Sequence, residues 1–253
     1  VSRAWRAGAA LAIAAGTARA DLPSSADHVL PCRPTVSCTA DLATPGLLEL
    51  EVGYQVRRAG DDFQHGTPLL LKLPLATWIE AQVGSNGFTY IDADHHYLDN
   101  LVAGVKVHLL DQGDARPSLA LTAAFSAPVA AQPGFTEADD LFLTAHASKD
   151  LGSFHVDLNA GVYVWGLDGS ASAQPWTALA ASCALTPAVS LTLEPHLFAS
   201  APPLAAHDAG VIAAIGVAAR PWLIADGALE VTGWDQASVS AIVGLSIIPV
   251  RLW

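Results

Sequence analysis

The sequence predicts an all-β protein, a single antiparallel transmembrane β-barrel of about twelve strands. Three observations carry that prediction. Apolar and polar residues alternate over stretch after stretch, as in LLELEVGYQVR (Leu47 to Arg57), which gives each stretch two opposite faces. Short and long connections alternate along the chain, the asymmetry of periplasmic turns and external loops. Finally, 52% of the 253 residues are hydrophobic and only 14% are charged. The longest weakly polar run, Ala209 to Ala219, is nevertheless about half of the roughly 20 residues a spanning helix needs.

The first residues read as an export signal. Arg3 and Arg6 precede an apolar stretch from Ala9 to Ala15, and Ala18-Arg19-Ala20 forms an A-x-A cleavage site. Residues 1–20 are therefore expected to be a signal peptide. Its removal takes three of the twelve basic residues and no acid, so the remaining 9 basic and 24 acidic residues carry −15. That balance excludes nucleic acid as a partner, since nucleic-acid binding wants a basic footprint. Cys32 and Cys38 bracket CRPTVSC, which in an exported chain reads as a small disulfide loop. Residues 21–45 are expected to form a periplasmic N-terminal segment carrying that loop, with the barrel over 46–253. Cys183 sits on an apolar face, where a free cysteine acts as a small hydrophobe.

The strands follow in order. After Leu48–Arg57 come Thr67–Leu73, Trp78–Gly84, Asn100–Leu110, Ser118–Ser126 and Asp140–Lys149. The second half gives Phe154–Trp165, Trp176–Leu185, Ser190–Ser200, Ala209–Ala219, Ala228–Trp234 and Ala237–Ile248. Most run about 9–12 residues, the length a tilted strand needs to cross a bilayer, and twelve is even, as bacterial barrels require. Tight connections such as Leu151-Gly152-Ser153 and Thr186-Pro187-Ala188 alternate with long ones at 58–66, 85–99, 127–139, 166–175 and 201–208. Trp165, Trp176, Phe154 and Trp222 near strand ends suit interfacial girdles. Pro195 inside a strand cannot donate to the ladder, and a bulge is the expected accommodation.

PGLLELEVGY, TPLLLKLPLATWIEAQVG and LDNLVAGVKVHLLDQGDARPSLALTAAFSAP resemble the phenol-degradation (meta-pathway) outer-membrane transporter family. The resemblance rests on Glu49, Glu51 and Gly53 in the first strand, Lys72 in the second and Glu80 in the third. Gly104 and Lys106 then precede a charged turn and PSLAL (Pro117 to Leu121). It covers residues 46–128 and is architectural beyond. It implies an outer-membrane barrel and a transport role, without naming a phenol as the solute. The chain departs from the family at SAPVAAQPG, and Pro249 interrupts the alternation before Trp253.

In a barrel the apolar face meets lipid and the other face looks inward. Glu49, Glu51, Arg57, Lys72, Glu80, Lys106, His108, His155, Asp157, Glu194, His196 and Glu230 then share the lumen. Two readings stand side by side: a polar conduit that selects small, hydrophobic or aromatic solutes, or a closed structural or interaction barrel in which opposite charges pair. Asp92, Asp94, His95 and His96 invite a metal reading, but adjacent residues in an external loop rarely hold an ion alone, and no metal is expected. His155 with Asp157, and Glu194 with His196, lack a serine at any recognisable motif, so no catalytic residue, cofactor or enzyme activity is expected. The expected partners are outer-membrane lipid, the barrel-assembly machinery and a small solute.

Overall fold

The computed structural model describes residues 28–91, 96–127, 139–167, 171–201, 207–233 and 237–253. The signal-peptide stretch, and Asp92, Asp94 and His95, lie outside the described residues. The strands are β1 (Leu47–Ala59), β2 (Asp62–Gly66), β3 (Leu69–Ala76), β4 (Ile79–Ser85), β5 (Phe88–Tyr90), β6 (His96–Leu98), β7 (Leu101–Leu110) and β8 (Ser118–Ala127). They continue with β9 (Asp140–Leu151), β10 (Phe154–Trp165), β11 (Ser172–Thr186), β12 (Val189–Phe198), β13 (Asp208–Arg220), β14 (Leu223–Thr232) and β15 (Ser238–Arg251). Every pairing is antiparallel, and β15 returns to β1, so β1, β3, β4 and β7 to β15 close a twelve-stranded barrel. Closure gives each of these twelve strands two neighbours and leaves the ring without an edge, the arrangement that lets a sheet survive in lipid.

The remaining three strands extend one wall. β1 pairs with β3 through residues 49–52 and with β2 through residues 55–59, so β2 prolongs β3 past a break at Thr67-Pro68. β5 and β6 add to β2 beyond the long-loop end. The stretch 58–66, expected as a long loop, is thus a tight turn at Gly60-Asp61 followed by a strand. β14 starts at Leu223, five residues before its predicted start at Ala228. Asp226-Gly227 resembles a turn in sequence but continues the ladder opposite Gly244 and Val243.

The expected bulge at Pro195 is absent. Pro195 stays in register opposite Val211, and its missing N–H lapses the pairing only on the β11 side, with Ala178↔His196 and Ala181↔Leu193 keeping one register. The bulge at a proline occurs instead at Pro249, where the β1–β15 register shifts between Leu48↔Val250 and Leu50↔Ile247.

The two faces sort by chemistry. Val105, Leu121, Leu158, Leu193, Leu229 and Val243 are exposed on the outer wall, while Glu49, Glu51, Lys72, Lys106, Asn159 and Glu194 are buried on the inner one. Wall side chains alone do not bury them. Residues 28–46 enter the barrel at the short-turn end, loop up to about its mid-height and return to start β1. Val29 N–H donates to the Pro221 carbonyl at 3.0 Å at the entry, and Gly46 N–H to the Pro74 carbonyl at 2.9 Å at the return. Gly46 adopts φ +84°, and a Cβ there would lie 2.7 Å from the Trp253 carbonyl oxygen, so only glycine makes this corner. The described part of the expected periplasmic segment is therefore inside the barrel. The reason is electrostatic: the inward acids need donors, and backbone amides of this segment provide them.

Candidate functional site

The site is the lumen with its plug, residues 28–46. Period-2 alternation fixes which side chains face it. On β1, Glu49, Glu51, Gly53 and Arg57 point in; on β3, Lys72; on β7, Lys106 and His108; on β10, His155, Asp157 and Asn159; on β12, Glu194 and His196.

Three buried acids, Glu49, Glu51 and Glu194, are held by the plug. Glu49 accepts from Leu30 N–H at 3.1 Å. Glu51 accepts from Cys32 N–H and Arg33 N–H, both at 3.0 Å. Lys72 Nζ lies 2.7 Å from a carboxylate oxygen of Glu49 and 2.7 Å from one of Glu51, and it also donates to the Leu30 carbonyl. Across the barrel, Glu194 accepts from Val36 N–H at 2.7 Å, Ser37 N–H at 2.8 Å and the Ser37 hydroxyl. Hydrogen bonds that involve a charged group are worth roughly 1.5–3 kcal/mol each, so this foot is strong. Asn159 brackets the next residue, its Oδ1 accepting from Cys38 N–H and its Nδ2 donating to the Cys38 carbonyl, each at 2.9 Å. Lys106 donates to the Thr39 and Asp41 carbonyls, and His108 Nδ1 contacts the Ala40 carbonyl at 3.0 Å. Val36 adds an apolar contact to an inner-wall patch of Ile212, Ala214, Ala228 and Ile242. The Cys32–Cys38 disulfide closes the loop between the Glu51 and Glu194 feet.

The predicted lumen residues thus divide. Glu49, Glu51, Lys72, Lys106, His108 and Glu194 converge on the plug. His155 pairs with Asp150 at 2.8 Å and Asp157 at 3.1 Å near the short-turn end. His196 on β12 lies 3.5 Å from Glu230 on β14, across the intervening β13. Arg57 donates to Ser238 Oγ at 3.0 Å near the long-loop end. Glu80 is buried and accepts from Gln82 at 2.8 Å. Among the described residues, no group of three or more His, Cys, Asp or Glu side chains is placed to hold a metal ion.

Sequence reasoning missed Arg33 and its seat. The guanidinium lies over Gly53 and Gly244, which face each other across the β1–β15 seam. A Cβ built on Gly53 would be 1.9 Å from Arg33 Nη2, and one on Gly244 would be 3.0 Å from Nε. Nη1 reaches the Pro68 carbonyl at 3.5 Å and Nη2 the Val243 carbonyl at 3.3 Å, while Nε is buried without a hydrogen-bond partner. Asp226, opposite Gly244, has both carboxylate oxygens buried without one. Burial lowers the Arg33 pKa from its ordinary value, against the pull of the Asp226 and Glu51 carboxylates, so its charge is incompletely compensated. Two inward glycines at matched positions of β1 and β15 were the available signal for a guest between them.

Among the described residues, a cavity lies on either side of the plug. One, about 330 Å³, lies at the short-turn end and is lined by Arg33, Asp41, His155, Asp157 and Asp226 among others. The second, about 370 Å³, opens toward the long loops between Arg33, Asn86, Asp99, Asp140, Phe142 and Trp165. Above the plug one wall is aromatic. Tyr163 meets Phe142 edge-on at 4.8 Å and Trp165 at 5.7 Å, and Trp176 stacks on Phe198 at 5.7 Å.

No family model matches the chain, and no curated protein matches it. Solved structures do. An outer membrane channel from Pseudomonas putida F1 superposes with a TM-score of 0.63 at 12% identity, covering 82% of this chain and 97% of that one. The fold is that of an outer-membrane barrel. The NanC porin follows with 0.59 at 9% identity, covering 78% and 98%. The KdgM porin, solved in complex with disordered oligogalacturonate, gives 0.52 at 8%, again covering 78% and 98%. The resemblance to the phenol-degradation family has no matching family model behind it, and these similarities speak to the fold.

Proposed function

We propose that this chain is an outer-membrane channel for small, hydrophobic or aromatic solutes, with a lumen that its own N-terminal segment holds shut. One observation carries the reading: the lumen is filled by a loop tethered through polar contacts, with a cavity on either side, rather than by interlocking side chains of the wall. Eight-stranded barrels fill with their own side chains, whereas wider ones leave room, and here the N-terminal segment, not the wall, occupies that room. The aromatic wall above the plug supports an aromatic or apolar solute, since ring faces offer contact without demanding hydrogen bonds. In this reading the short turns are periplasmic, the outward face meets lipid, and the barrel-assembly machinery inserts the chain. It assigns no catalytic residue, metal or cofactor.

A second reading, a closed structural barrel, draws on the number of buried hydrogen bonds that hold the plug. Planar-bilayer recordings of wild type and Glu194→Ala separate the two. Glu194→Ala removes the acceptor of three plug donors, so its conductance should exceed that of wild type. Silence in both proteins, with folding shown by heat-modifiable mobility, would favour the closed barrel.

A further inference from the structure

Among the described residues, a lumen cation with unspent hydrogen-bonding capacity, Arg33, lies where the two cavities beside the plug meet. Among the described residues, Arg33 lines both the cavity at the short-turn end and the cavity at the long-loop end, and no other residue lines both. Its head fills a notch that the wall has left for it, because Gly53 and Gly244 are paired and neither tolerates a Cβ beside the guanidinium. The notch grips weakly. A guanidinium prefers a bidentate carboxylate at about 2.7–2.9 Å, whereas here it has two neutral carbonyl contacts at 3.5 and 3.3 Å and an unpartnered Nε. The feet at Glu49, Glu51 and Glu194 are of a different kind, with carboxylates accepting from backbone amides at 2.7–3.1 Å.

We propose that Arg33 is the gate and charge filter of the lumen: seated in the Gly53–Gly244 notch it separates the two cavities, and a solute passes when its side chain swings out. This rests on the channel reading. A long flexible side chain leaves and re-enters a notch without unfastening the plug, so the strongly bonded feet at Glu51 and Glu194 stay in place while the path opens. The class that such a filter favours is a small anionic or neutral molecule. A cation crossing the septum meets the guanidinium, whereas an anion finds donors that nothing else uses. Removing the charge leaves Asp226, which lines the cavity at the short-turn end and has two buried, unpartnered oxygens, as the dominant field at the constriction.

The test is planar-bilayer recording in a potassium chloride gradient, on full-length protein with folding verified by heat-modifiable mobility. Arg33→Ala should raise unit conductance severalfold and shift the reversal potential toward cation selectivity. Arg33→Lys should raise conductance without that shift, because an ammonium keeps the charge but cannot span the notch. Gly53→Ala, which evicts the guanidinium and leaves its charge in the lumen, should behave like Arg33→Lys, and it carries the test if Arg33→Ala fails to fold. If Glu194→Ala conducts while all three variants match wild type, the gate is overturned and the channel stands. If none of the four conducts, both are overturned. An Arg33→Ala channel with raised conductance and unchanged selectivity would overturn the charge filter.

Discussion

Val105 and Gly104 are neighbours in β7 with opposite surroundings. Val105 is exposed on the outer wall between Ala81 and Ala123, and Gly104 faces the lumen. A cation on a barrel's lipid face at the bilayer midplane costs about 2–4 kcal/mol, so Val105→Arg should lower folding yield into lipid vesicles and shift the urea midpoint down accordingly. From alternation alone, an inward glycine beside a roomy lumen would tolerate a large side chain. The structure corrects this, because a Cβ at Gly104 would lie 2.6 Å from that of Ala124 and 3.0 Å from the Ala123 carbonyl. Gly104→Ala should therefore destabilise by about 1–3 kcal/mol through overpacking, a loss comparable with that of Val105→Arg. A Gly104→Ala protein with the wild-type urea midpoint would show that β7 and β8 can part to admit the methyl group. At this scale facing was readable from sequence and room was not, since room depends on which residue the neighbouring strand sets opposite.

The strands were the most legible elements because barrel walls obey one period over long stretches. Every predicted strand has its counterpart, and β10 matches its predicted bounds, Phe154–Trp165. Errors fall where alternation is locally overruled: at Asp226-Gly227, whose turn-like composition hides a strand, and at β2, β5 and β6, too short to declare a period. The plug was illegible for another reason. Residues 28–46 have no periodicity, and their position comes from donors meeting acceptors that lie far along the chain, as Ser37 meets Glu194 and Cys38 meets Asn159. The paired cysteines were read correctly, but the loop they close lies within the lumen instead of outside it. Its two ends are fixed independently at Glu51 and Asn159. Replacing both Cys32 and Cys38 by Ser should therefore leave the barrel folded and heat-modifiable, while the loop becomes more open to protease added from the water side. Cys183 lies opposite Phe154 in an apolar groove of the outer wall, so a membrane-permeant maleimide should label it and a charged one should not. Labelling of Cys183 by the charged reagent alone would reverse the facing of β11.

At the scale of the whole molecule, wall and plug are separate structures joined at a few charged feet, and Lys72 is where that separation can be tested. Its ammonium bridges Glu49 and Glu51 on β1 and holds the Leu30 carbonyl of the plug, so one side chain serves both structures. Removing one partner from a buried ion pair costs about 3–5 kcal/mol because the other charge is left uncompensated. Lys72→Ala leaves two carboxylates on one face, and their repulsion is relieved most cheaply by water entering between wall and plug. The twelve-stranded ladder does not depend on this contact, since β3 keeps its backbone pairing with β1 and β4. The expected outcome is thus a folded barrel with a loosened entry foot, higher conductance and greater cation selectivity, whereas Lys72→Met, which restores volume without charge, should fill the gap yet keep the shift in selectivity. Lys72→Arg should retain wild-type behaviour, because a guanidinium can still bridge the two acids. Recording all three beside wild type separates charge from packing. If Lys72→Ala folds and its conductance and selectivity equal those of wild type, the acids are held by plug amides alone, and the ammonium only neutralises a wall that would close without it.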